Sequence, residues 1–386
     1  MSSTPVLASR TLPLALAAIA ATAAAAASQT VYRVGPHALP TIQDAVDAAS
    51  AGDVVEVAAG VYPSFHVEKA LRIVAEPSAL VQVDTTDTIA IALQPNDRVH
   101  LAGLDVQAQA VTVHGGIVSA ERCTIRTGLG VRLRNTIATL RWSSASADSA
   151  SGVLVEDSTL FASDGTFSTG APAADHIEHG GVKVLGDSAC HLASCVLIGA
   201  WCVSAAMPWP SVAFLAPTAT AANARIWLVD CNFIGGFQQS GPQGPSLVVP
   251  SVPMPGRVRA HRCQASGLVI GAVVLDRVLG VHTSVDMNVG GSFTTRMLGE
   301  PGHPLLLYAG GETLGQQPVT FVEQPALVFN DMVVLGTLPG DAQGAATFTI
   351  NVPNNPALRH LQIWWRGLDL ATLPWQATPP FVTIVQ

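Results

Sequence analysis

Short segments in which apolar and polar residues alternate run through most of this chain. DVVEVAAGVY, ALRIVAEP, ALVQVD, TIAIALQ, RVHLAGLDVQ and AVTVHGGIVSAE follow one another, separated by Gly, Pro, Asn or Asp. Apolar residues at every second position mark half-buried strands. No helical pattern interrupts them, which favours a coil of parallel strands over a doubly wound sheet. One helix precedes the series. In LPTIQDAVDAASAGD, Thr41 is an N-cap with Asp44 three residues on, and Ile42, Ala45, Val46 and Ala49 share one apolar face before Gly52. A helix in that place would cover the open apolar end of the first coil and hide its strand edges.

The strands repeat. Five copies end in a small residue followed by apolar residues and, in most, a glycine. They are SAERCTIRTG around Cys123, LVEDSTLFAS around Ser158, HLASCVLIGA around Cys195, WLVDCNFIGG around Cys231 and RAHRCQASGL around Cys263, at spacings of 35, 37, 36 and 32 residues. Self-similarity at such a period marks a solenoid. Stacking places like on like, so the small residues should form one inward column. Four of the six cysteines stand in it and are expected as buried thiols, since parallel Cβ vectors resist a disulfide's torsion. Cys190 and Cys202 lie outside it and are available for a bridge that counting cannot decide.

TIQDAVDAASAGDVVEVAAGVYPSFHVEKALRIVAE, from about Thr41 to Glu76, resembles the opening of pectin-lyase-like right-handed parallel β-helix proteins. The strand repeat carries the resemblance to about Val281. From His282 the column stops and longer alternating segments appear, among them HPLLLYAGG, ALVFNDMVVLG and AATFTINVP. LPGDAQGAATFTINVPNNPALRHLQIWW is similar to part of a β-sandwich-like module at the C-terminus of secreted bacterial proteins. The expected fold is therefore all-β: a right-handed parallel β-helix over 28–281 with a short N-terminal capping helix, then a β-sandwich-like domain over 282–386.

Composition adds an address. Arg10 is the only charge in Met1–Ala27, Leu12–Ala27 is apolar, and Ala25-Ala26-Ala27 offers a cleavage site, so residues 1–27 read as a secretory signal peptide. The expected location is extracellular, periplasmic or at the cell surface, with no membrane span once the peptide is removed. The formal charge of −8 becomes −9 without Arg10, which disfavours nucleic acid as a partner.

The resemblance implies a polysaccharide partner, but the catalytic motifs of pectin methylesterases, polygalacturonases and pectate lyases are not found, so the sequence leaves catalysis open. Arg126, Arg132, Arg134 and Arg141 match a lyase base by type only. Arg132 and Arg134 alternate on one strand and fit a solvated face. Asp157 and Asp230 precede column residues and should point outward. The most polar insertion, FASDGTFSTGAPAADHIEHGGVK, supplies the catalytic candidates Asp164, Glu178, His179 and Lys183. Asp175, His176, Glu178 and His179 have the ligand types for a divalent metal such as zinc, without a recognised metal motif; the plainer reading is a solvated loop with an incidental cluster. Trp201 and Trp364 are candidates for stacking on sugar. Trp364 and Trp365 are neighbours on one strand, so one is expected in the core and the other is open to exposure. Three functions follow in order: polysaccharide binding without a recognisable catalytic motif, a divergent lyase or hydrolase, and a structural surface or matrix protein.

Overall fold

The computed structural model describes residues 29–169, 180–199, 212–214, 225–234, 247–248, 258–266, 269–270, 274–275, 280–283, 287–317, 326–330, 332–359, 361–371, 373, 375–378 and 380–385. The signal-peptide expectation for residues 1–27 lies outside them. The chain divides into two compact units, Gln29–Asp276 and Arg277–Gln386, where the sequence placed the boundary at 281/282.

The first unit is a parallel β-helix. Its three sheets have eleven, nine and nine strands, and from Val54–Val57 onward the chain visits them in strict rotation. One turn runs through Ile117–Glu121 in the first sheet, Thr124–Thr127 in the second and Val131–Arg134 in the third. The next runs through Ile137–Arg141, Ser144–Ala147 and Val153–Glu156. Each strand pairs in parallel with its counterparts one turn before and after. Alternate residues point inward and stack. Leu101, Ala120, Leu140, Ala162, Leu192 and Leu228 form one such row in the core. Burying each leucine contributes roughly 1.5–3 kcal/mol.

Helix Ile42–Ala48 has the expected capping box, Thr41 with Asp44, and buries Ile42, Ala45 and Val46. Those three join the apolar cluster that includes Val34, Val55, Val57 and Val67 of the first strands. The helix ends at Ala49, and Gly52 follows in a turn with φ of +93°.

The corners explain the repeat and correct it. Between the first and second sheets, each described turn from Gly103 onward places one residue in the left-handed region: Gly103, Arg122, Trp142, Asp164, Ser194, Asp230 and Arg262. A non-glycine residue there is strained by about 1–2 kcal/mol. Hydrogen bonds from turn to turn offset this, such as Arg122 N–H to the Arg141 carbonyl (3.0 Å) and Ser194 N–H to that of Val229 (2.8 Å). The residue after each bend makes the column: Leu104, Cys123, Ser143, Gly165, Cys195, Cys231 and Cys263. Ser158 is not in it. It follows Asp157 (φ +47°) at the corner between the third and first sheets, where its hydroxyl donates to the Glu156 carbonyl at 2.7 Å. The span from Cys123 to Cys195 thus holds three turns, not two, and the first step within it, Cys123 to Ser143, is 20 residues. Asp157 and Asp230 consequently occupy different corners.

Cys123, Cys190, Cys195, Cys231 and Cys263 are all reduced thiols, and the first four are buried. Burial pushes the Cys123 thiol up to about 11, and burial likewise raises those of Cys190 and Cys231. Cys202 lies outside the described residues.

The second unit is antiparallel. Gly280–Thr283, Ser292–Leu298 and Ala345–Asn351 form one sheet. Val333–Pro339, Pro304–Gly310, Gln362–Asp369, Gln376–Ala377 and Phe381–Ile384 form a second. Phe293, Met297, Phe348 and Ile350 of the first and Leu305, Leu307, Ile363 and Trp365 of the second share one core. Among the described residues no helix is long and apolar enough to cross a membrane.

Candidate functional site

The metal candidates Asp175, His176, Glu178 and His179, the catalytic candidates among them, and Trp201 all lie outside the described residues. Asp164 bends the corner between the first and second sheets, while Lys183 stands on a strand of the third, so the two do not share a sheet face. Trp364 is 1 % exposed and offers no ring face for a sugar. Its strand lies between Pro304–Gly310 and Phe381–Ile384 and both of its faces are covered, so Trp365 is also 1 % exposed. Trp365 packs on Phe293 and donates to Thr383 Oγ1 at 2.8 Å. Among the described residues no group of three His, Cys, Asp or Glu side chains is placed to hold a metal ion.

Two outward faces of the β-helix carry the remaining chemistry. On the first sheet, parallel register aligns His100, Ser119, Thr139, Phe161, His191 and Trp227 in one row and Glu121 and Arg141 in the next. These side chains point away from the apolar core, yet they are buried. His100 Nδ1 and Ser119 Oγ are hydrogen-bonded at 2.7 Å. Arg141 donates to Glu121 Oε1 at 2.9 Å, with both side chains enclosed. His191 packs between Phe161 and Trp227, its centroid 6.5 Å and 5.9 Å from theirs.

A serine bonded to a histidine is the arrangement of a nucleophile and its base. This pair lacks the other requirements. Both residues are 1 % exposed, which leaves no room for substrate. Burial, reinforced by the guanidiniums of Arg72, Arg122 and Arg141, pushes the His100 imidazole down to about 3, far below a base working near neutrality. His100 Nε2 and Thr139 Oγ1 are buried without a hydrogen-bond partner, each at a cost of about 1–3 kcal/mol. The row is a buried polar network of the scaffold.

The third sheet presents the opposite case. Its inward residues, such as Val131, Leu133, Val153 and Val155, are buried, while Arg132 and Arg134 between them are exposed, as their alternation predicted. Register aligns Thr112, Arg132, Leu154 and Lys183 in one outward row and His114, Arg134, Glu156 and Leu185 in the next. Arg134 donates to Glu156 at 2.7 Å. Arg132 makes no ion pair with a described residue, and its counterparts one turn away are Thr112 and Leu154. Among the described residues of these rows, three cations and one carboxylate therefore stand together in a chain whose formal charge is −8. The other two arginines separate by environment: Arg126 is exposed beside Asp105 (3.5 Å), and Arg141 is buried.

Sequence reasoning found Arg132 and Arg134 by alternation but missed His100, Ser119 and Glu121, which become neighbours only through turns of about 20 residues. A scan against protein-family models, a search among curated proteins and a search among solved structures each found no match. The class of the protein is thus defined by its fold, a parallel β-helix followed by antiparallel sheets.

Proposed function

We propose that this is a secreted, polysaccharide-binding β-helix protein, and that its ligand is a polyanion such as a uronic-acid polymer. The observation that carries the reading is the cationic face of the third sheet, with Arg132 and Arg134 exposed and Lys183 half-buried in register with them. Turns stack about 4.8 Å apart, so Arg132 and Lys183, two turns apart, are separated by about 10 Å along the axis. That spacing matches alternate residues of an extended sugar chain better than a compact ligand. Planar guanidinium groups pair with carboxylates in two-point fashion. The resemblance to pectin-lyase-like proteins points to the same ligand class.

Affinity electrophoresis of the secreted protein in gels containing polygalacturonate, alginate or neutral dextran tests this. Retardation is expected in the two polyuronates only and should weaken with salt. Arg132→Ala should weaken binding by up to about five-fold, the worth of an exposed ion pair. Equal retardation in dextran would contradict the charge argument. No retardation in any gel would leave the protein a structural rod.

A further inference from the structure

The column of small residues ends in three consecutive cysteines. Ala193, Val229 and His261 pair in register, so Cys195, Cys231 and Cys263, each two residues further on, stack on successive turns. The thiols of Cys195 and Cys263 are hydrogen-bond partners of Cys231. Cys231 Sγ also reaches the carbonyls of Leu192 (3.3 Å) and Val229 (3.4 Å). Exposure is graded along the stack: Cys195 is 0 % and Cys231 1 % exposed, whereas Cys263 is half-buried.

We propose that Cys231 and Cys263 form a redox modification site, in which exchange with a small disulfide cross-links two adjacent turns of the β-helix. The Cys263 thiolate attacks one sulfur of the small disulfide, bonds to it and expels the other half as a thiol. Cys231 then loses its proton, attacks Cys263 Sγ and expels the second half. Two protein thiols are oxidised and one small disulfide is reduced to two thiols. Stacked turns bring the Cα atoms to about 4.8 Å, inside the disulfide range. The bond needs the Cβ atoms to close to about 3.8 Å, so one turn must shift. Strand Gln264–Ala265, directly after Cys263, has that freedom, because among the described residues it pairs on one side only, whereas Val258–His261 before it is paired on both sides. Cys195 and Cys231 sit between turns held on both sides. The inference rests on the stack alone and is independent of the ligand proposed for the third sheet.

The full chain is incubated with glutathione disulfide, alkylated with N-ethylmaleimide and digested without reductant for mass spectrometry. A peptide pair joined through Cys231 and Cys263 is expected. In Cys231→Ser, Cys263 should instead be arrested as the glutathione adduct, and in Cys263→Ser both Cys195 and Cys231 should stay reduced. Serine already stands in this column at Ser143, so both variants should fold. Glutathione remaining on Cys263 in the unaltered protein, a link from Cys263 to Cys202, or no reaction at Cys263 would each overturn the proposal.

Discussion

The outward faces of the first and third sheets belong to the same turns of the same coil, yet they use polar residues in opposite ways. On the first sheet Glu121, Arg141, His100 and Ser119 are withdrawn from water and bonded to one another. On the third sheet Arg132 and Arg134 are exposed, and Glu156 pairs with Arg134 at the surface. Both faces carry ionisable groups in register, so register does not distinguish them. Water does: a buried charge is costly unless its partner stays, whereas an exposed one is cheap and open to a ligand.

The largest effect should come from breaking the buried pair. Arg141→Met leaves the Glu121 carboxylate enclosed without its 2.9 Å partner. Loss of one member of a buried pair typically costs about 3–5 kcal/mol, and denaturant unfolding of the β-helix should record a loss of that order. A cost below about 1 kcal/mol would place Arg141 with the surface arginines and erase the distinction between the two faces.

Acid should reveal the same contrast. The folded His100 imidazole titrates at about 3, against an ordinary value near 6.5. Between those values the unfolded chain binds the proton that the folded chain refuses, so stability falls as the pH drops through that window. The slope is at most about 1.4 kcal/mol per pH unit, and the loss is complete below about 3. His100→Asn can keep a hydrogen bond to Ser119 and removes the titration, so its unfolding midpoint should fall less between pH 6.5 and pH 4. Parallel curves for the two proteins would show that His100 is solvated.

Alternation along each strand made the architecture legible, because it reports directly which face is buried. The helix was legible for the same reason, together with the Thr41–Asp44 box. The length of the turn was not. Ser143 and Gly165 stand where cysteine stands on other turns, and Ser158 resembles them from a different corner. The bends themselves are made by Arg122, Trp142 and Asp164, none of which announces a left-handed residue as glycine would. With the turn misjudged, the pairs His100–Ser119 and Glu121–Arg141, 19 and 20 residues apart, could not be seen as neighbours. Trp364 and Trp365 show a further limit. Alternation assigns them to opposite faces, but it does not say whether both faces of a sheet are covered.

The smallest effect is expected at the surface pair, and it separates stability from binding. Glu156→Gln removes the carboxylate that Arg134 donates to at 2.7 Å, on a face where the arginine is 61 % exposed. An exposed pair is worth about 0–1 kcal/mol, so the unfolding midpoint should barely move. The same change releases the Arg134 guanidinium from its only carboxylate on these strands and makes the face more positive. Retardation by polygalacturonate should therefore increase while stability stays level, the reverse of Arg141→Met, which should cost stability and leave the third sheet's charges in place. If Glu156→Gln weakened retardation instead, the carboxylate would be orienting Arg134 toward the ligand, and the face would act through geometry rather than through net charge.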